Sequence, residues 1–177
     1  MVEVYQPEED SYLLSRALKK EKLDSNAKML DMGAGTGIQS QTLLEVGILP
    51  KNITLADINS DAIKLLKKNF SKSRVIKSNL FDKVKGKFDL ILFNPPYLPE
   101  DSREPAGSRV ATTGGKKGSE IINKFLLQSK KHLTDDGKIL ILTSSLTEGI
   151  NWRDYNKKLL AKKKLFYETL KVFSCTR

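Results

Sequence analysis

A chain of 177 residues with 39% apolar side chains is the size of one compact domain, with interior enough for a sheet covered on both faces. No apolar run approaches the roughly 20 residues that cross a bilayer, and a lone cysteine, Cys175, excludes an internal disulfide and a cysteine metal site. The net charge of +10, from 31 basic and 21 acidic residues, favours RNA, ribosomal or DNA surroundings, beside the plainer reading of a solvated, lysine-rich surface. The acidic and polar opening does not read as a signal peptide. With the single cysteine, it suits a reducing cytoplasm.

In chain order, residues 8–21 read as a helix with Leu13, Leu14, Ala17 and Leu18 on one side. Residues 28–32 form a short strand that runs into a glycine-rich turn, and 37–46 continue as a helix. Residues 53–57 are the second strand. Asn59 or Ser60 caps the next helix, whose apolar side carries Ala62, Ile63, Leu65 and Leu66. A third short strand covers 74–78. The fourth, 88–93, has a run of apolar residues that fits the centre of a sheet. A loop of about 20 residues follows, long enough inside a compact domain to suggest a functional lid. Residues 119–132 form a helix, which makes His132 a helix-end residue and not a catalyst. Asp135-Asp136-Gly137 is a turn into the strand 138–143. The remainder reads as a lysine-rich helix and a last strand over 168–174. Lys157, Lys158, Lys162, Lys163 and Lys164, with Leu159, Leu160 and Leu165 at near-helical spacing, look like a solvated helix face before they look like a binding patch. The alternation of strand and helix argues for a parallel sheet with helices on both faces, and residues 1–177 read as a single domain.

The segment Asp31-Met32-Gly33-Ala34-Gly35-Thr36-Gly37 joins the first strand to the following helix. Its glycines permit a tight turn and close approach of a ligand to the backbone. The dinucleotide fingerprint G-x-G-x-x-G does not fit, because the third glycine comes one residue early. Asp31 would also oppose a pyrophosphate, whereas it suits a ligand with an ammonium and a sulfonium. S-adenosylmethionine has both. Asp57 ends the second strand, where a carboxylate accepts ribose hydroxyls. Asn79-Leu80-Phe81 follows the third strand on the same edge, so an amide and an apolar side chain there would meet an adenine. A plain strand-end turn explains these three residues as well.

Asn94-Pro95-Pro96-Tyr97 leaves the carboxyl end of the fourth strand, where open α/β sheets bind ligands. Two prolines fix the backbone and remove two N–H donors. The loop then offers acceptors, the Asn94 side-chain oxygen and the Pro95 carbonyl, to a group with two amino hydrogens. Tyr97 would lie against a flat substrate. An amide or aromatic amine is a poor nucleophile, and two fixed acceptors orient it for attack on a methyl carbon. The expected activity is therefore S-adenosylmethionine-dependent methylation of a planar NH2-bearing group, with no metal.

Together these residues resemble the class I methyltransferases with an Asn-Pro-Pro-Tyr motif. The opening Tyr5-Gln6-Pro7-Glu8-Glu9-Asp10-Ser11-Tyr12-Leu13-Leu14 resembles the Y-x-P-x-E-D-[ST]-x-L-L start of the short archaeal and eukaryotic branch of the HemK family. Gly114-Gly115-Lys116-Lys117-Gly118-Ser119-Glu120 resembles its G-G-x-x-G-x-E stretch. The likeness runs from residue 4 to about 145. It implies a Rossmann-like seven-stranded sheet ordered 3-2-1-4-5-7-6 with strand 7 antiparallel. It implies that Asp31, Gly33, Gly35, Asp57, Asn79, Leu80 and Asn94 contact S-adenosylmethionine, that Asn94, Pro95 and Tyr97 hold the substrate, and that Tyr5, Pro7, Glu9 and Ser11 close over the cofactor. Asn79 departs from the Asp that the family often carries. The implied substrate is the glutamine of the Gly-Gly-Gln motif in a class I release factor. The long loop is expected to form part of the docking surface, where Arg103, Arg109, Lys116 and Lys117 either meet an acidic face of the factor or are simply solvated. The implied partner is a small zinc-binding activator protein, expected along the open edge of strand 3. The N-terminal helical domain of bacterial HemK proteins has no counterpart in this sequence. The rival readings are methylation of adenine N6 in DNA or of an amine in RNA, for which the basic charge speaks, and a catalytically silent binding scaffold.

Overall fold

The computed structural model describes residues 4–101, 109 and 111–177. Its framework is a seven-stranded sheet built from β1 (Met29–Met32), β2 (Ile53–Asp57), β3 (Arg74–Lys77), β4 (Phe88–Phe93), β7 (Leu133–Ser144), β8 (Asn156–Lys164) and β9 (Thr169–Thr176). The order is β3-β2-β1-β4-β7-β9-β8, which is 3-2-1-4-5-7-6 when only this sheet's strands are counted. The strands from β3 to β7 are parallel, and β9 is antiparallel to both neighbours.

Every residue of β1 and β2 is buried, as expected of central parallel strands covered on both faces. The strand period of two splits their side chains between two cores. Met29, Leu90, Leu92, Leu140 and Leu142 face helices α1 (Glu9–Leu18), α2 (Ile38–Glu45) and α3 (Ser60–Asn69). Leu30, Met32, Ile91, Phe93, Ile139 and Ile141 face α4 (Glu120–Ser129), where Phe125 is fully buried and stacks obliquely on Phe81 and Phe93. Helix α3 starts where the sequence marks it: the Asn59 side chain accepts the Asp61 amide at 2.9 Å, with Asp61 in the first turn and Lys67 and Lys68 in the last.

Three expectations change. Residues 156–164 are the edge strand β8 and not a helix. Leucine, lysine and alanine favour helix locally, but pairing with β9 decides the outcome. A register shift between Leu159 and Ala161 also breaks the two-residue alternation, so that Leu160 and Ala161 both pack toward the core. That irregularity hides the strand pattern from inspection. Second, the Asp135-Asp136-Gly137 turn lies inside β7, which already pairs Leu133 with Phe88 and then shifts register before Lys138 meets Leu90. Third, the long loop carries a small parallel pair of its own, β5 (Leu98–Pro99) with β6 (Thr113–Gly115). Arg103 lies outside the described residues.

His132 ends a short 3-10 turn, stacks on Phe81 with centroids 4.5 Å apart, and places Nδ1 3.0 Å from the Gly86 carbonyl. Cys175 is a free core thiol on β9, pushed up to about 12 by burial. None of the described helices is long and apolar enough to cross a membrane.

Candidate active site

A cavity of about 430 Å³ opens at the carboxyl ends of β1, β2, β3 and β4. The sheet order reverses between β1 and β4, the switch point where open α/β sheets take ligands. Its size falls in the ordinary small-ligand range.

The floor is the glycine turn. Gly33 and Gly35 have φ of 62° and 55°, left-handed values that an ordinary side chain resists. The turn is tied to β2 on both sides. The Ala34 amide donates to the Ala56 carbonyl at 3.1 Å, and the Gly35 amide donates to Asp57 Oδ2 at 2.8 Å. The other Asp57 oxygen accepts the Asn59 amide at 2.8 Å. Asp57 therefore builds the cavity wall as well as presenting charge to it. The third glycine has a packing reason: a Cβ on Gly37 would overlap the Phe70 ring.

Asp31 is 2% exposed. Its Oδ2 accepts the Ser40 amide at 3.0 Å and the Ser40 hydroxyl at 2.7 Å. Burial pushes its carboxyl up to about 7; the Ser40 bonds oppose the shift and the nearby Asp57 charge adds to it. Among the described lining residues stand three carboxylates, Asp10, Asp31 and Asp57, and one ammonium, Lys124. A pyrophosphate would meet repulsion here, whereas a ligand with an ammonium and a sulfonium is matched. The donor set thus fits S-adenosylmethionine.

Beyond β3, Ser78 holds an unusual turn. Its amide donates to the Asp57 carbonyl at 2.8 Å, its hydroxyl donates to the Leu80 carbonyl at 2.7 Å, and it accepts the Lys83 amide at 3.0 Å. Leu80 has a φ of 48°, a left-handed value found at no other non-glycine among the described residues. Such backbone persists only where neighbours impose it, and here it brings Asn79 and Leu80 to the cavity wall.

On the opposite wall, Asn94 leaves β4. Its Nδ2 donates to Asp10 Oδ2 at 3.1 Å and to the Ser11 hydroxyl at 3.3 Å. Those acceptors fix which end of the amide is nitrogen. The Asn94 Oδ1 is then a buried acceptor with no partner, a costly state that calls for an explanation. Asp10 is the hub. Tyr5 donates its hydroxyl to Asp10 at 3.1 Å, Tyr97 donates to Oδ2 at 3.4 Å, and the Ser11 amide donates to Oδ1 at 2.5 Å. Burial and then the Asp10 charge push both phenols well above their usual range.

The Asn94 loop is braced from behind. The Tyr97 amide donates to the Thr112 carbonyl at 3.1 Å, and Thr147 donates its hydroxyl to the Tyr97 carbonyl at 2.8 Å. A Cβ on Gly118 would overlap that carbonyl, and one on Gly114 would lie 2.6 Å from the Pro96 carbonyl. Gly114 and Gly118 of the G-G-x-x-G stretch are thus backbone-to-backbone contacts behind the motif, and Gly115 leaves room for the Glu120 side chain.

Tyr5, Pro7, Ser11, Asp31, Gly33, Gly35, Asp57, Asn79, Leu80, Asn94 and Pro95 all line the cavity. Glu9 does not; it points outward from α1 to Lys163 of β8 and to Arg16. Tyr97 is also absent from the lining and packs between the two cores, reaching the site through Asp10. Asp10 itself was visible in the opening motif but carried no assigned role. Gln39 and Ser40 were missed, because nothing in the residues after the glycine turn shows which side of α2 they occupy. Gln39 lines the cavity, donates to the Ser11 carbonyl at 2.9 Å and leaves Oε1 buried without a partner. No group of three or more His, Cys, Asp or Glu among the described residues is placed to hold a metal.

Sheet order, glycine turn and cavity define a class I S-adenosylmethionine-dependent methyltransferase. Residues 6–152 match the methyltransferase small domain family. A protein of Methanocaldococcus jannaschii assigned as a protein N5-glutamine methyltransferase is 40% identical over 99% of this chain and 92% of its own length. The release factor glutamine methyltransferase of Aquifex aeolicus is 35% identical over 75% of this chain and 52% of its own length. A chain of the E. cuniculi Mtq2–Trm112 complex, which methylates the termination factor eRF1, matches over 98% of each chain with a TM-score of 0.75 and 24% identity. The chain belongs to the methyltransferase small domain family, within its HemK-type protein glutamine N5-methyltransferases.

Proposed function

We propose that this enzyme methylates the side-chain amide nitrogen of the glutamine in the Gly-Gly-Gln motif of a class I release factor. The observation that carries the reading is the unpartnered, buried Asn94 Oδ1, locked in orientation because Asp10 and Ser11 take the amide nitrogen. A primary amide supplies the missing N–H donor, and the Pro95 carbonyl in the same wall suits the second. Holding both hydrogens orients the nitrogen toward the methyl without a covalent intermediate; as the N–C bond forms and the C–S bond breaks, the nitrogen sheds one of the two held protons, which passes to solvent. The relatives named above as acting on glutamine and on release factors support the choice of acceptor.

S-adenosylmethionine, when bound, supplies an electrophilic methyl on sulfonium. In this reading Asp57 accepts from the ribose, Asp31 faces the amino-acid part, and Asn79 and Leu80 border the adenine. Gly33 and Gly35 admit the ligand to the backbone. Tyr5, Pro7 and Ser11 cover it, anchored by the Tyr5–Asp10 bond. Tyr97 fixes Asp10 from below and does not stack on the substrate. The whole chain acts as one methyltransferase domain in the cytoplasm. A small activator subunit pairs along β3, the outer strand beside β2. The Mtq2–Trm112 assembly supports a partner of this kind.

The test is parallel tritium transfer from labelled cofactor to a release factor, a duplex oligonucleotide and ribosomal RNA. The factor should accept one methyl on that glutamine, and its Gln→Glu variant none. Label on adenine would transfer the case to nucleic acid.

A further inference from the structure

The β8–β9 hairpin ends in a turn that the chemistry of turns does not explain. Leu165 donates its amide to the Glu168 carbonyl at 2.8 Å, leaving Phe166 and Tyr167 as the two loop residues. Two-residue hairpin loops favour Asn-Gly or a like pair, with left-handed backbone. Neither aromatic residue has a left-handed φ. They are 89% and 85% exposed, and their rings meet edge to face at 4.6 Å. Single exposed apolar residues are ordinary. Two preformed, mutually packed aromatic rings on a projecting tip are the composition of a binding hot spot.

The tip stands at the reactive end of the sheet. Leu170 pairs with Ser144, and Thr169 with Lys164, so the loop projects from the same end as Asn94. β9 is separated from β4 by β7 alone, about 10 Å across. The tip is also fastened to the elements beside the site. Ser144 donates its hydroxyl to Glu168, Ser145 and Thr169 exchange bonds of 2.9 Å, and Lys163 pairs with Glu9, the neighbour of Asp10. The Glu168 charge is felt at the Tyr97 phenol. Toward the tip the charge is one-sided: Lys162 and Lys164 are exposed on β8, and Glu168 is the single acid between residues 156 and 177.

We infer that the Phe166–Tyr167 tip is the docking element for the folded protein substrate, seated in an apolar, acid-flanked patch outside the loop that carries the methylated glutamine. The inference rests on the proposal that a protein glutamine is the acceptor. A single amide side chain offers little binding energy, so contacts remote from the reacting atom must supply it. The tip supplies apolar anchors at small entropic cost, and its lysines steer an acidic surface toward the cavity. Two exposed, mutually packed aromatic rings are anchors of the kind that seat on folded protein surfaces, and together with the proposed protein acceptor they favour a protein over other occupants.

The test uses two double variants, F166A/Y167A and F166N/Y167G. The second restores favoured hairpin chemistry, so its melting temperature should be no lower than that of the parent. Both should raise KM for the full-length release factor by roughly tenfold or more. kcat at saturation, cofactor affinity and kcat/KM for a short Gly-Gly-Gln peptide should be retained. An unchanged KM for the factor in both variants overturns the docking role while leaving the acceptor reading intact. A parent enzyme that methylates neither factor nor peptide overturns the acceptor reading and this inference with it. Loss of ribosomal RNA retention with an unchanged KM for the factor makes the tip a nucleic-acid contact and overturns the inference.

Discussion

In the proposed reaction two side chains carry most of the chemistry, and they divide the work. Asn94 presents the acceptor, and Asp10 decides which way Asn94 faces. Asn94→Ala should abolish most methyl transfer while leaving cofactor affinity close to that of the parent. Asp10→Ala keeps the acceptor atom but frees its orientation, and misplacement on that scale costs about a hundredfold in kcat. Single-turnover rates and calorimetry on the folded variants check both; a surviving rate in Asn94→Ala would sink the acceptor role. Asp31 gives a pH signature. Its carboxyl is raised to about 7 in the folded chain, so the folded state holds a proton that the unfolded state has lost. The resulting stabilisation is full at pH below the unfolded carboxyl value and disappears as pH rises through about 7. A cationic ligand needs the ionised form, so cofactor affinity should rise over the upper part of that window. Titrations on either side of pH 7 should show this for the parent and a flat profile for Asp31→Asn.

At the scale of elements, the two edges of the sheet are managed differently. β8 is long and studded with lysines, a device that discourages pairing with other chains. β3 is short, with its middle residues Val75 and Ile76 half-buried and Arg74 and Lys77 exposed. Its outer side is the place where an added strand would continue the sheet. Val75→Pro removes a backbone donor there. On co-expression with a small activator subunit, gel filtration should show the complex lost, with a smaller effect on the melting temperature of the isolated chain. A complex formed equally well by Val75→Pro would rule out pairing along β3.

For the molecule as a whole, site and stability are one system. Asp57 holds the glycine turn to β2 and addresses the cavity, so cofactor binding should stiffen a junction between the first two strands. Saturation at about 100 times Kd adds about 2.7 kcal/mol to the folded state, which corresponds to a rise of roughly 5–10 °C in melting temperature for a chain of this size. Asp57→Ala loses charge-assisted bonds and should bind about ten- to a hundredfold more weakly. Calorimetry and thermal melts report this together; an unchanged affinity would remove Asp57 from ligand binding.

The class of fold and the place of the cavity followed from local chemistry, and the strand order from the family resemblance that those motifs carry. Alternating apolar runs, Gly33 and Gly35 in a strand-to-helix turn, an acid at the end of β2 and two prolines after β4 each act through their immediate neighbours. A linear reading therefore reaches them. What depends on residues distant in sequence was decided only by tertiary structure. Asp10 became the orienting group because α1 packs beside the end of β4, a contact across 84 positions. The same packing turned Glu9 outward to Lys163 and drew Tyr97 into the core. β8 became a strand because β9 offered it a ladder, overriding a helical composition that its bulge left uncorrected. Its tip then carried Phe166 and Tyr167 to the carboxyl end of the parallel strands, since antiparallel pairing returns the chain to the end of the sheet where β4 delivers Asn94.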